Sequence, residues 1–121
     1  MTIKILAVDD SRTMRDMVEY TLTGAGYDVT LANDGAIAVD ILKDGQFDLI
    51  ITDINMPNMN GIELVKIIRE SGANQSVPIL ILTTEASDSQ KQAGKSAGAT
   101  GWLVKPFVPE KLLQVVKKVC Y

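Results

Sequence analysis

Apolar runs of strand length alternate along this chain with stretches in which large side chains recur every three or four residues. Ile3-Lys4-Ile5-Leu6-Ala7-Val8 predicts a first strand. Met14, Met17, Val18 and Leu22 then fall at i, i+3, i+4 and i+8, one face of a helix that stops at Gly24 and Gly26. Tyr27–Leu31 predicts a second, more polar strand, followed by a helix from about Asp34 to Lys43 with Ala38, Ile41 and Leu42 inward. Leu49–Thr52 is oily enough for a strand covered on both faces. Gly61–Ser71 returns to helical spacing through Leu64, Ile67 and Ile68. Val77–Leu82 predicts a fourth strand, whose Pro78 is tolerable near the start. Ser87–Ala97 is weakly helical, with few large anchors, and Gly101–Val104 is a short fifth strand. Pro109 opens a last helix with Glu110 in its first turn, Lys117 and Lys118 in its last, and Leu112, Leu113, Val116 and Val119 as its buried stripe.

Five β-α units in succession imply a parallel sheet with helices on both faces, because right-handed crossovers return each strand beside an earlier one. The uniformly apolar strands 1, 3 and 4 belong in the centre, and strand 2, with Asp28 and Thr30, at an edge. A doubly wound α/β fold in a single domain is therefore expected, and 121 residues suit one compact domain.

Composition narrows the chemistry. At 46% hydrophobic and 22% charged residues the chain can build a real core. A net charge of −3 gives no basic footprint for nucleic acid. No apolar stretch approaches the roughly 18 residues of a membrane span. The start, Met1-Thr2-Ile3-Lys4, lacks a signal-peptide layout, and the single cysteine, Cys120, has no internal disulfide partner, so a reducing cytoplasm is expected. Cys120 itself reads as an incidental residue. The chain has no histidine. That removes Ser-His and Cys-His nucleophile pairs and most zinc sites. Carboxylates, hydroxyls, lysine and a metal are what remain.

In a parallel sheet all strand C-termini share one rim, where open α/β folds bind ligands. Strand 1 ends in Asp9-Asp10, strand 3 in Asp53, strand 4 in Thr83-Thr84 and strand 5 in Lys105, whereas the edge strand 2 runs into Ala32-Asn33. Turn preference explains any one of these residues but not their arrival together from four strands expected away from the edge. Three clustered carboxylates repel one another, and Lys105 offsets one charge. Mg²⁺ would offset more, since it takes oxygen ligands from one or two carboxylates and keeps positions for phosphate oxygens. Asp53 then becomes a nucleophile toward phosphorus, with Lys105 and Thr83 holding the phosphoryl oxygens. Asp9 is also placed to cap the first helix, and Thr84 rivals Thr83.

Asp9-Asp10-Ser11-Arg12, Asp53 with Met56-Pro57-x-Met59-x-Gly61, Thr83 and Lys105-Pro106-Phe107, in that order, resemble the receiver domain of two-component response regulators over residues 1–121. The resemblance is strongest to stand-alone receivers of the chemotaxis CheY type. It implies a flavodoxin-like (βα)5 fold with strand order 2-1-3-4-5. It implies that Asp53 accepts a phosphoryl group from a sensor histidine kinase. Mg²⁺ would be held by Asp10 and Asp53, by Asp9 through a coordinated water, and by the backbone carbonyl of Asn55. Thr83 and Lys105 would contact the phosphoryl oxygens, with Lys105-Pro106 a cis peptide. On activation Thr83 would be drawn toward the phosphoryl group and Trp102 would turn inward behind it as the switch, while Asn55 and Glu85 would tune hydrolysis. Met56 and Met59 read as loop packing.

A cytoplasmic monomer follows from the same resemblance. It would be a switch rather than an enzyme with its own substrate, bind neither nucleic acid nor membrane, and signal by contact with a downstream protein. The flagellar motor switch is the leading target and a phosphatase a further partner. A phosphate sink, or a single-domain regulator outside chemotaxis, is the alternative. A small phosphohydrolase with an aspartyl nucleophile and a flavodoxin-like cofactor binder are the rivals from other classes. The sequence lacks a substrate-pocket insertion for the first and a phosphate-cradling loop after strand 1 for the second. Two positions depart from the family pattern. Trp102 stands where Tyr or Phe is usual, and Val108, which cannot cap the last helix, where Thr, Ser or Asp is common.

Overall fold

A computed structural model describes residues 2–70, 72, 74–84 and 87–119, so Glu85, Cys120 and the expected helix end at Ser71 lie outside the described residues. The chain runs through β1 (Lys4–Val8), α1 (Arg12–Gly24), β2 (Asp28–Ala32), α2 (Gly35–Asp44) and β3 (Leu49–Thr52). It continues through α3 (Gly61–Glu70), β4 (Ile79–Thr83), α4 (Asp88–Ala97), β5 (Gly101–Val104) and α5 (Pro109–Val119). The strands form one parallel sheet in the order β2-β1-β3-β4-β5.

Strand alternation divides the core between the two faces of the sheet. Leu6, Val8, Ile50, Ile79 and Ile81 pack with Ala38 and Leu42 of α2 and with Leu64, Val65 and Ile68 of α3. Ile5, Ala7, Leu49, Ile51, Leu80, Leu82 and Leu103 face α1 and α5 through Val18, Leu22, Leu112 and Val116. Full burial of each such side chain is worth roughly 1.5–3 kcal/mol, so both helix layers contribute to holding the sheet.

Local polar groups set the helix starts. Ser11, Asp34, Asn60 and Ser87 accept the N–H of Met14, Ile37, Glu63 and Gln90 respectively, each three residues on. Gly98, at φ 113°, closes α4 in the left-handed conformation.

Three sequence expectations change. The fourth strand begins at Ile79 rather than Val77, because Pro78 has no N–H for the ladder and Val77 turns back to donate to the Asn74 carbonyl. β2 starts one residue late, at Asp28, since the Tyr27 N–H still bonds to Leu22 at the end of α1. β5 is the second edge of the sheet, so Lys105 reaches the rim from an edge strand and only three of the contributing strands are interior. Its apolar Trp102-Leu103-Val104 reads as interior because the helix layers cover an edge strand of a doubly wound sheet on both faces.

Candidate functional site

The register of β1, β3 and β4 places Val8 beside Thr52 and Thr52 beside Ile81, so these strands end together on one rim. The next residues carry the charge. Asp9 donates its N–H to Ala32 and Asp53 its N–H to Val8, which extends the ladder by one step and fixes both Cα atoms. Carboxylate oxygens of Asp9, Asp10 and Asp53 lie within 4.8 Å of one another.

The three aspartates differ in environment. Asp9 is 5% exposed, Asp53 is 8% exposed, and Asp10 faces solvent. Asp9 Oδ1 accepts the N–H of Ser11 at 2.9 Å, so it closes the turn into α1, while the N-cap of α1 is Ser11 and not Asp9. Its Oδ2 accepts from Lys105 Nζ at 2.8 Å. Arg15 steadies the same turn by donating to the Asp9 carbonyl at 2.7 Å. Asp53 Oδ1 accepts the N–H of Ile54 at 2.7 Å, and its Oδ2 lies 3.4 Å from Lys105 Nζ. The expectation that Lys105 offsets one charge thus becomes an ammonium shared by two.

Burial pushes the Asp53 carboxyl above its ordinary value. The Lys105 charge pulls it down, Asp9 pushes it up again, and the hydrogen bonds from Ile54 and Lys105 lower it, with burial prevailing. The site is short of positive charge as it stands. That deficit is a physical reason to expect a cation.

The loop after Asp53 is held by close approach. A Cβ at Gly61 would run into the backbone carbonyl of Asp53, so only glycine lets α3 start there, and the Gly61 N–H donates to Ile54 at 2.8 Å. Asn58 adopts φ 72°, and Met56 and Met59 pack against the core, as loop packing requires. Asn55 is exposed beside Asp53.

On the other side, Thr83 is fully buried and Thr84 exposed. The Lys105 N–H donates to the Thr83 carbonyl at 2.8 Å, which carries the β4–β5 pairing one step further and sets Lys105 beside Thr83. The Lys105-Pro106 peptide is cis. Trp102 lies three residues before Lys105 on β5, opposite Ile81 and on the sheet face that Ile79 and Ile81 share. Asp9, Asp10, Asp53 and Lys105 therefore come together and Thr83 flanks them, while the ring of Trp102, expected to turn inward only on activation, is already packed against the core with its Nε1 buried.

Two supporting residues escaped the sequence reading. Arg69 at the end of α3 donates to the carbonyls of Gly98, Val77 and Gln75, tying α3 to the approach to β4 and the end of α4. Buried Asn74 accepts the Phe47 N–H and donates to Gly45. The one available signal was a polar residue just before an oily strand, which reads equally as a turn.

The family profile of the response regulator receiver domain matches residues 5–117. Chemotaxis protein CheY-3 of Vibrio cholerae is 42% identical over 118 residues, covering 97% of this chain and 91% of that protein. The structure of chemotaxis response regulator CheY4 of Vibrio cholerae superposes with a TM-score of 0.94 at 51% identity, covering 98% of this chain and 99% of that one. The receiver domain of sensor histidine kinase PA1611 from Pseudomonas aeruginosa, with a magnesium ion coordinated in its active site cleft, gives a TM-score of 0.90 at 29% identity over 98% of both chains. With the fold, the acidic rim and these likenesses in agreement, the chain belongs to the response regulator receiver domain family.

Proposed function

We propose that this receiver is a Mg²⁺-dependent phosphoaccepting switch in which Asp53 is phosphorylated by a histidine kinase. The observation that carries the reading is a buried carboxylate, Asp53, crowded by Asp9 and Asp10 and only partly neutralised by Lys105. Three carboxylates facing one point, with no soft ligand among them, suit a hard oxygen-seeking dication. Asp10 and Asp53 would hold Mg²⁺ directly, Asp9 through a water, and the Asn55 carbonyl would complete the protein ligands. When bound, Mg²⁺ supplies charge neutralisation and Lewis acidity toward phosphoryl oxygens.

The residues of the chain do the remaining work. Oδ1 of Asp53 accepts the Ile54 N–H and keeps room for the cation, and Oδ2, on the Lys105 side, is the oxygen placed to attack. A P–O bond forms there as the donor's P–N bond breaks, and the imidazole leaves with a proton from solvent. Lys105, already 3.4 Å from Oδ2, turns from Asp9 to the phosphoryl oxygens together with the Thr83 hydroxyl. Asn55 and Glu85, beside the site in sequence, tune how water reaches it.

Likeness to chemotaxis proteins along nearly the whole chain favours a chemotaxis phosphorelay in the cytoplasm, with a downstream contact such as the flagellar motor switch and a phosphatase as a further partner. Among the described residues no helix is long and apolar enough to cross a membrane. The domain turns over no separate substrate in this reading.

Intact mass after incubation with acetyl phosphate tests it. One phosphoryl adduct should form with Mg²⁺, and none with EDTA or in Asp53→Asn. An adduct that persists in Asp53→Asn, or none in the folded wild type under any condition, would overturn the assignment. The switch part has its own readout. Emission from Trp102 should change on full phosphorylation, and constant emission would remove Trp102 from the switch.

A further inference from the structure

Helix α4 carries no side chain where it crosses the indole of Trp102. A Cβ at Gly94 would come to 2.8 Å from Trp102 Cζ3, 3.4 Å from Cε3 and 3.0 Å from Ile81 Cδ1. Gly94 is the buried residue of α4 and keeps ordinary helical backbone, so space and not backbone freedom is what glycine provides there. Glycine inside a helix is otherwise unfavourable. Its presence at the contact with the largest side chain of β5 is a matched pair.

The indole is not fully satisfied in this slot. Its Nε1 is buried and meets no hydrogen-bond partner among the described residues. Beside the same ring a hollow of about 220 Å³ opens between α4 and β5, lined by Lys91, Lys95, Ala99, Thr100, Gly101 and Trp102. A ring turned into that hollow would bring its N–H to water and lie beside Lys91 and Lys95, which line it. The slot offers packing with the core cluster instead.

We propose that Gly94 is a positioning residue for Trp102: the missing side chain on α4 makes the slot that seats the indole under the helix in the unphosphorylated chain, and any side chain at 94 drives the ring into the Lys91–Lys95 hollow. The inference rests on packing and holds whether or not Asp53 is phosphorylated. If Trp102 is part of the switch, Gly94 sets its resting position.

The test uses the full chain in EDTA without phosphodonor, so that it cannot fail for want of phosphorylation. Trp102 is the only tryptophan, so emission reports on this ring alone. In Gly94→Ala the emission should shift to longer wavelength and acrylamide quenching should rise several-fold, with far-UV circular dichroism unchanged. The same substitution in Trp102→Phe separates the ring from the helix. There alanine should leave the melting temperature unchanged or raise it, as a better helix former. Folding of Gly94→Ala/Trp102→Phe where Gly94→Ala alone fails to fold would support the pairing equally. Unchanged emission and quenching in Gly94→Ala would overturn it. So would an equal loss of melting temperature, or of folding, in both backgrounds, which would place the clash on Ile81.

Discussion

Lys105→Met tests whether the site is an electrostatic device or a set of polar residues that happen to meet. The ammonium lies 2.8 Å from Asp9 Oδ2 and 3.4 Å from Asp53 Oδ2, and the three side chains are 10%, 7% and 11% exposed, so solvent screens them poorly. Methionine keeps the stem and removes the charge. Two carboxylates within 4.8 Å then repel by at least about 3.5 kcal/mol at an effective dielectric near 20. Proton uptake by Asp53, already raised by burial, limits the penalty. From an ordinary carboxyl near 3.9, that costs about 1.4 kcal/mol per pH unit, hence roughly 4 kcal/mol at pH 7 and roughly 1.5 kcal/mol at pH 5. Urea unfolding in EDTA should therefore show a loss of about 3 kcal/mol at pH 7 and half that or less at pH 5. The sign follows from linkage: at pH 5 the folded variant holds a proton that the unfolded chain has released, so its stability falls as pH rises. Near pH 7 keeping the proton costs as much as the repulsion, and the loss levels off. Mg²⁺ should restore more to the variant than it adds to wild type, because it no longer competes with an ammonium for the same oxygens. A loss below about 1 kcal/mol, typical of exposed pairs, or one equal at the two pH values, would refute the account.

Asp53→Asn should melt higher than wild type at pH 7 in EDTA, because burial outweighs Lys105 in setting the Asp53 carboxyl; the gain should shrink as pH falls and Asp53 takes its own proton, and a lower melting point would refute this. Val108→Thr should add about 1 kcal/mol by supplying the N-cap that α5 lacks, where the Lys111 N–H now finds only the Val108 carbonyl, and unchanged urea unfolding would reject it. Asn74→Ala should cost about 1–2 kcal/mol by removing the buried amide that ties the Phe47 N–H and the Gly45 carbonyl together in a half-buried turn, again read by urea unfolding. Backbone amides of α4, where only Gly94 is buried, should exchange faster than those of α3, which buries Leu64, Val65 and Ile68; equal protection would remove α4 as the soft element of the fold.

What the sequence exposes is whatever topology enforces. β3 and β4 are buried at every position because helices cover both faces, and that appears as unbroken oily runs. Once the strands are parallel their ends must share a rim, so Asp9, Asp10, Asp53, Thr83 and Lys105 could be brought together without coordinates. What stays hidden depends on which way a single side chain turns. Asp9 and Asp10 are adjacent and identical, yet one is buried on Lys105 and the other faces water. Arg69 resembles any surface arginine at a helix end until the Gly98 carbonyl, 29 residues away, is seen to accept from it.

Gly94 shows how one letter can carry opposite meanings. In sequence it weakens a helix that already lacks anchors, which argues for local softness. In three dimensions it admits the ring of Trp102, which argues for a specific fit. Both statements describe one helix: an element held by few apolar contacts can still be shaped to a single neighbour. The few apolar contacts leave α4 weakly anchored, and the glycine sets which side chain it meets most closely. An aromatic larger than the family's usual Tyr or Phe at 102 therefore calls for no rearrangement of the sheet, because the accommodation lies eight residues earlier on the helix above it.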